Sequence, residues 1–201
     1  MNIKLNDKKF EKIGGELSLT DEIKLSEIPD LELYMEQILG FLESKLGHLK
    51  RDEDDKIFTK TMINNYIKNG ILHSPKNKKY TKEHIILLVI IYNLKNILSI
   101  NDIRAIFTPV LNDIANRDDD IISLEDIYAT YLELKEDELE EFCDTFNEKI
   151  ILIKKKTQNI MDERNQEQAE VFLTILMLMA QANAAKRLAE KIIDNYFKKI
   201  Q

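Results

Sequence analysis

Cysteine is almost absent from the chain: Cys143 stands alone, so there is no internal disulfide and no cysteine pair for a zinc or iron–sulfur site. A reducing, cytoplasmic setting is the expectation. Tryptophan is missing, and only five glycines and three prolines punctuate 201 residues rich in Ile, Leu, Lys, Glu and Asn. Such a composition predicts long helices joined by short polar turns. Long hydrophobic runs are also lacking. The longest, Ile85 to Tyr92 and Val171 to Ala180, fall short of the ~20 residues a membrane helix needs. The N-terminal stretch has no apolar core of the signal-peptide kind. A soluble protein with no membrane partner is expected, and 44% hydrophobic residues suffice for a real core.

Catalytic furniture is sparse. The three histidines (48, 73 and 84), one thiol and scattered serines form no nucleophile–base pattern, no glycine-rich phosphate loop and no metal-ligand spacing. Neither an enzyme nor a cofactor is expected. Asp52 to Asp55 and Asp118 to Asp120 lack the alternating oxygens, central glycine and distal glutamate of a calcium loop, so they read as solvated loop caps. Cys143 lies on an apolar stripe and reads as a small buried hydrophobe.

One local absence is more informative. Lys56 to Lys82, "KIFTKTMINNYIKNGILHSPKNKKYTK", contains seven lysines and no acid, in a chain of net charge −7. Seven of the 29 basic residues lie here, leaving 22 against 36 acids elsewhere, so this segment carries +7 and the remainder −14. A polyanion is repelled by most of such a molecule and attracted at one face. The competing account is that lysines simply keep the surface of a Lys- and Asn-rich protein soluble.

Residues 1–28 read as an arm. Asp30 stands as N-cap of a first helix running to about Leu46, and "GHLKRDEDDK" follows as an exposed loop. A short helix opens at Thr59, carries Met62, Ile63, Tyr66 and Ile67 on its apolar face, and stops at Gly70. "ILHSPKNKKYT" has the pattern of a small β-hairpin. Thr81 caps a third helix, apolar on nearly every face and therefore buried. Ser99 opens a fourth through the capping pattern "SIND", which Pro109 kinks or divides. Ser123 ("SLED") starts a stripe running through Tyr128, Cys143, Phe146, Ile150 and Ile160, and Asn165 caps a long terminal helix. Its seam is Val171, Ile175, Leu178, Ala182, Ala185, Ala189, Ile192 and Tyr196, which suits intrachain bundle packing and a homodimer through the C-terminal helices alike.

The stretch from Thr61 to Phe107 resembles the DNA-binding half of the MerR family of winged helix-turn-helix regulators. The resemblance rests on Tyr66, Gly70, Ile71 and Leu72, then Lys79, Tyr80 and Thr81, then Leu98, Ser99, Ile100 and Ile103. Where that pattern has Arg then Tyr before the retained tyrosine, this chain has Asn64 and Asn65. Taken whole, the chain is similar to an uncharacterised bacterial domain-of-unknown-function family predicted to carry such a helix-turn-helix.

The expectation is an all-α protein: an arm (1–28), a MerR-like winged helix-turn-helix domain with a small β-hairpin wing (29–116), and a C-terminal helical bundle for effector sensing or dimerisation (117–201). Its partner would be double-stranded DNA. Asn64, Asn65 and Lys68 would face the groove and Lys60, Lys76, Lys78 and Lys79 the phosphates. Tyr66 would donate to a phosphate or belong to the core. The alternative is a protein-interaction module that keeps the winged fold while its lysines dock an acidic partner.

Overall fold

The computed structural model describes Phe10 and residues 21–115, 123–160 and 162–198. The rest of the expected arm up to residue 20, the Asp118–Asp120 cluster and the boundary at 116 and 117 lie outside the described residues. The chain is mostly helical, with one small antiparallel sheet. In order come β1 (Leu33–Tyr34), α1 (Met35–Leu46), α2 (Lys60–Lys68), β2 (Lys79–Tyr80), α3 (Lys82–Leu94), α4 (Ile100–Ala115), α5 (Leu124–Thr157) and α6 (Glu163–Tyr196). By contacts the chain divides into one unit of residues 22–132 with 189–201, and another of residues 1–21 with 133–188.

In the first unit α3 is the axis. Ile85, Ile86, Leu87, Leu88, Val89 and Ile91 are at most 1% exposed, as a helix apolar on every side requires. Around them pack Ile38, Leu42 and Leu46 of α1, Ile63 and Tyr66 of α2, and Ile103, Phe107 and Leu111 of α4. Each such side chain contributes about 1.5–3 kcal/mol on leaving water. Residues 22–28, expected as the end of the arm, join this core: Ile23 and Ile28 are buried, and the Tyr128 hydroxyl donates 2.6 Å to the Ile23 carbonyl.

Several helix starts differ from the sequence expectation. Asp30 does not cap α1, because Leu33 and Tyr34 are held extended opposite Tyr80 and Lys79. Tyr34 is the N-cap residue, and its amide donates 2.8 Å to Gln37 Oε1. Thr59, by contrast, caps α2 as expected, its hydroxyl accepting from the Met62 amide at 3.1 Å. Pro109 sits inside α4 without dividing it. In the Ser99 motif the serine hydroxyl donates to the Asp102 carboxylate (2.6 Å), and Ser99 Oγ accepts from the Asp102 amide (3.2 Å). Asp162 rather than Asn165 opens α6: its carboxylate accepts from the Asn165 amide at 2.8 Å.

The expected hairpin wing is the largest departure. Ile71 and Leu72 form no strand; both are buried, and β2 pairs instead with β1, far upstream in the chain. Leu33 and Tyr80, opposite each other, are 7% and 3% exposed, so burial of one face stabilises a two-residue ladder that would be marginal alone. What remains of the hairpin is its tip, the turn Lys76–Lys79.

The second unit is a pairing of α5 and α6 segments. Phe146, Ile150 and Ile153 form its core with Phe10, Leu173 and Leu178 against them, and Phe10 meets Phe146 edge-on at 5.7 Å. The inward face of α6 is partly polar. Glu170 and Thr174 are buried, and the Glu170 carboxylate accepts from Thr157 Oγ1 (3.3 Å) and Gln166 Nε2 (3.1 Å). The expected seam is displaced accordingly: Leu178 and Ala189 are half-buried, while Val171, Ile175, Ile192 and Tyr196 are exposed.

Candidate nucleic-acid interface

Helix α2 ends as its glycine requires. Gly70 has φ +67°, the Ile71 amide donates to the Tyr66 carbonyl (2.9 Å) and the Gly70 amide to that of Ile67 (3.0 Å). These two bonds make a Schellman stop, sealed by the burial of Ile71 and Tyr66. The helix is thereby fixed in register, with Ile63 and Tyr66 inward and Asn64, Asn65 and Lys68 outward. Asn64 and Lys68, four apart, share a face. Asn65 is less free: its side-chain oxygen accepts from Asn69 Nδ2 at 3.1 Å.

The turn after it is equally specific. The Lys79 amide donates 2.8 Å to the Lys76 carbonyl, and Asn77 and Lys78 have φ of 51° and 63°. Positive φ at both central positions is the type I′ pattern, which suits Asn and is strained for Lys. The turn projects Lys76, Asn77 and Lys78 into solvent.

The expected site residues fall into three groups. Asn64, Asn65, Lys68, Lys76 and Lys78 are exposed, and the three lysines have no acidic partner among the described residues. Lys60 and Lys79 are ion-paired, to Glu36 and, at 3.6 Å, to Glu32. Lys79 also lies 5.9 Å from the Tyr34 ring. The Lys60 ammonium holds the Glu36 carboxyl below the usual carboxylate range. Tyr66 belongs to the core: it is 7% exposed, edge-on to Phe58 at 6.2 Å, and burial pushes its phenol pKa up.

Sequence reasoning missed three partners. Glu32 and Glu36 lie well upstream, outside the acid-free segment, and nothing local announces that the start of α1 meets both Lys60 and Lys79. Lys95 was missed as well. It is half-buried, donates to the Ile57 (2.7 Å) and Lys56 (3.3 Å) carbonyls, and sits 5.1 and 5.2 Å from the Phe58 and Tyr92 rings. Burial depresses its pKa. It anchors the loop that delivers Thr59 to the start of α2. Beside it a shallow groove of about 120 Å³ is lined by Met62, Asn65, Tyr66, Leu98, Ile100 and Ile103. No group of three or more His, Cys, Asp or Glu side chains among the described residues could hold a metal ion.

The fold and this surface define a mostly helical domain that presents a short capped helix and a lysine-tipped turn. The chain belongs to the family described as a domain of unknown function (DUF1836), whose model matches residues 23–131, more than half of the chain. Over 67 residues it is 39% identical to an uncharacterized protein, YkrK, of Bacillus subtilis (strain 168); the match covers 31% of this chain and 29% of that protein. The matched stretch thus spans under a third of the relative's length. No solved structure matches the chain.

Proposed function

We propose that the chain is a DNA-binding transcriptional regulator of the MerR-like winged helix-turn-helix type, with α2 as its groove-facing helix and the Lys76–Lys79 turn as a reduced wing. The observation that carries the reading is the set Lys68, Lys76 and Lys78, exposed and without acidic partners among the described residues, together with an exposed Asn64 on a helix fixed at both ends. An amide suits an adenine edge, and ammonium groups suit phosphates. Three phosphate contacts at about −0.9 each give a log–log salt slope near −3 per protomer.

The second reading, a protein-interaction module on the same fold, draws on the ion pairs of Lys60 and Lys79, which withdraw two cations from any backbone-facing set. The double substitution Glu32→Gln with Glu36→Gln separates the two. On DNA it frees two lysines, so binding tightens and the slope steepens by about 2. If the lysines serve only an acidic protein partner, duplex binding stays absent in the parent and in the variant.

A further inference from the structure

We infer that Tyr34 is a further phosphate contact of the surface formed by α2 and the lysine-tipped turn, made by its phenol from the β1 side; the inference rests on the DNA reading. A single exposed aromatic is ordinary on a soluble protein, so its placement is what matters. Tyr34 is 50% exposed, and the strand register sets it directly opposite Lys79, as it sets the buried Leu33 opposite the buried Tyr80. Successive residues of a strand point to opposite faces, so Tyr34 and Lys79 share the outward face of the ladder. Cα atoms opposite each other on antiparallel strands are about 4.5–5.5 Å apart, and Lys78 lies one ~3.8 Å step beyond Lys79. The phenol and the Lys78 ammonium are thus within reach of one phosphate, or of two neighbours on a strand.

The side chain is also held in place. The Tyr34 amide donates to Gln37 Oε1 at the start of α1, which fixes the backbone, and the Lys79 ammonium lies 5.9 Å from the ring, which restrains the side chain. An aromatic with two side-chain torsions, set beforehand, loses little entropy on contact. Glu32 and Glu36 flank it, and each has a lysine partner, Lys79 at 3.6 Å and Lys60 respectively. The start of α1 therefore offers an anion two neutral pairs and one phenol. The cap uses the tyrosine amide and leaves the hydroxyl to donate. Donation to a phosphate oxygen is charge-assisted but adds no cation, so it strengthens binding without releasing a counterion. That is the signature separating a tyrosine contact from a lysine contact.

Fluorescence anisotropy of the full chain with duplex DNA from its own upstream region, over a salt series, tests it. Tyr34→Phe keeps the ring and its contact with Lys79 while removing the donor. Its affinity should fall on the order of tenfold at every salt concentration, with the log–log slope unchanged. Nitration by tetranitromethane gives a second readout on the unaltered protein. Saturating duplex should slow nitration of Tyr34 several-fold and leave that of Tyr196, 69% exposed on α6, unchanged. Absence of duplex binding by the parent chain would sink this inference and the DNA reading together. Duplex binding by the parent with Tyr34→Phe indifferent, or with Tyr34 nitrated at the same rate on and off DNA, would overturn this inference alone.

Discussion

His84 is 7% exposed at the start of α3, and its two ring nitrogens have different partners. Nδ1 accepts from the Thr81 amide (3.1 Å) and lies 2.9 Å from Thr81 Oγ1, while Nε2 faces the His73 carbonyl at 3.2 Å. Only the neutral ring protonated on Nε2 satisfies both sides. Burial accordingly lowers its pKa below 6.5. The unfolded chain therefore binds the proton more readily. The stability His84 lends is complete above the unfolded value and lost as pH falls through the depressed folded value. Urea midpoints should decline as pH is lowered from about 7 to about 5, and His84→Gln, which keeps an acceptor for the Thr81 amide, should flatten that decline. An equal decline in the variant would assign the effect to other groups. Tyr128 makes the parallel case with a hydroxyl. Its pKa is driven well up by burial, and it ties α5 to the Ile23 carbonyl. Tyr128→Phe should cost about 1–2 kcal/mol in chemical denaturation by leaving that buried acceptor unpaired.

At the scale of elements, α2 and its following turn are the parts most dependent on backbone chemistry. An added Cβ at Gly70 would meet nothing within 4 Å, but φ is +67° there. Gly70→Ala should thus destabilise by about 1–2 kcal/mol from conformation alone, measurable in a thermal melt. Lys78, strained at φ 63°, permits the opposite manipulation. Lys78→Gly relieves the turn and removes a charge, so the protein should be at least as stable while its duplex affinity falls and its salt slope becomes shallower by about 1. A variant that is more stable and binds DNA unchanged would show that the tip has no contact with phosphate. Both ends of α2 were legible in the sequence, since Thr59 and Gly70 act on amides within a few residues. The sheet was not. Two-residue strands leave no periodic signal, and β2 takes its partner from Leu33 and Tyr34, far upstream across α1 and α2.

Across the whole molecule, helical class and the burial of α3 followed from composition and periodicity, because an all-apolar helix has only the interior to occupy. The seam of α6 was misplaced for the converse reason. Its apolar residues surround the helix, so spacing alone could not choose a face, and the inward one includes Glu170, whose carboxylate accepts from Thr157 and Gln166, and Thr174, whose hydroxyl donates to the Glu170 carbonyl. Charge in the acid-free segment was visible in the sequence; its partial cancellation was not, because Glu32 and Glu36 reach Lys60 and Lys79 through the tertiary fold. The fold thus narrows the candidate surface to Asn64, Lys68, Lys76 and Lys78, with Asn65 tied to Asn69 and Tyr66 in the core.

The most direct measurement of the central claim is fluorescence anisotropy with duplex DNA from the protein's own upstream region, over a salt series, for the parent chain and for Lys76→Glu with Lys78→Glu. Binding is expected at low salt with a slope near −3 per protomer, and in the variant a slope shallower by about 2 with affinity reduced at least tenfold at the lowest salt. Absence of binding by the parent chain at low salt, or identical curves for the two proteins, would contradict it.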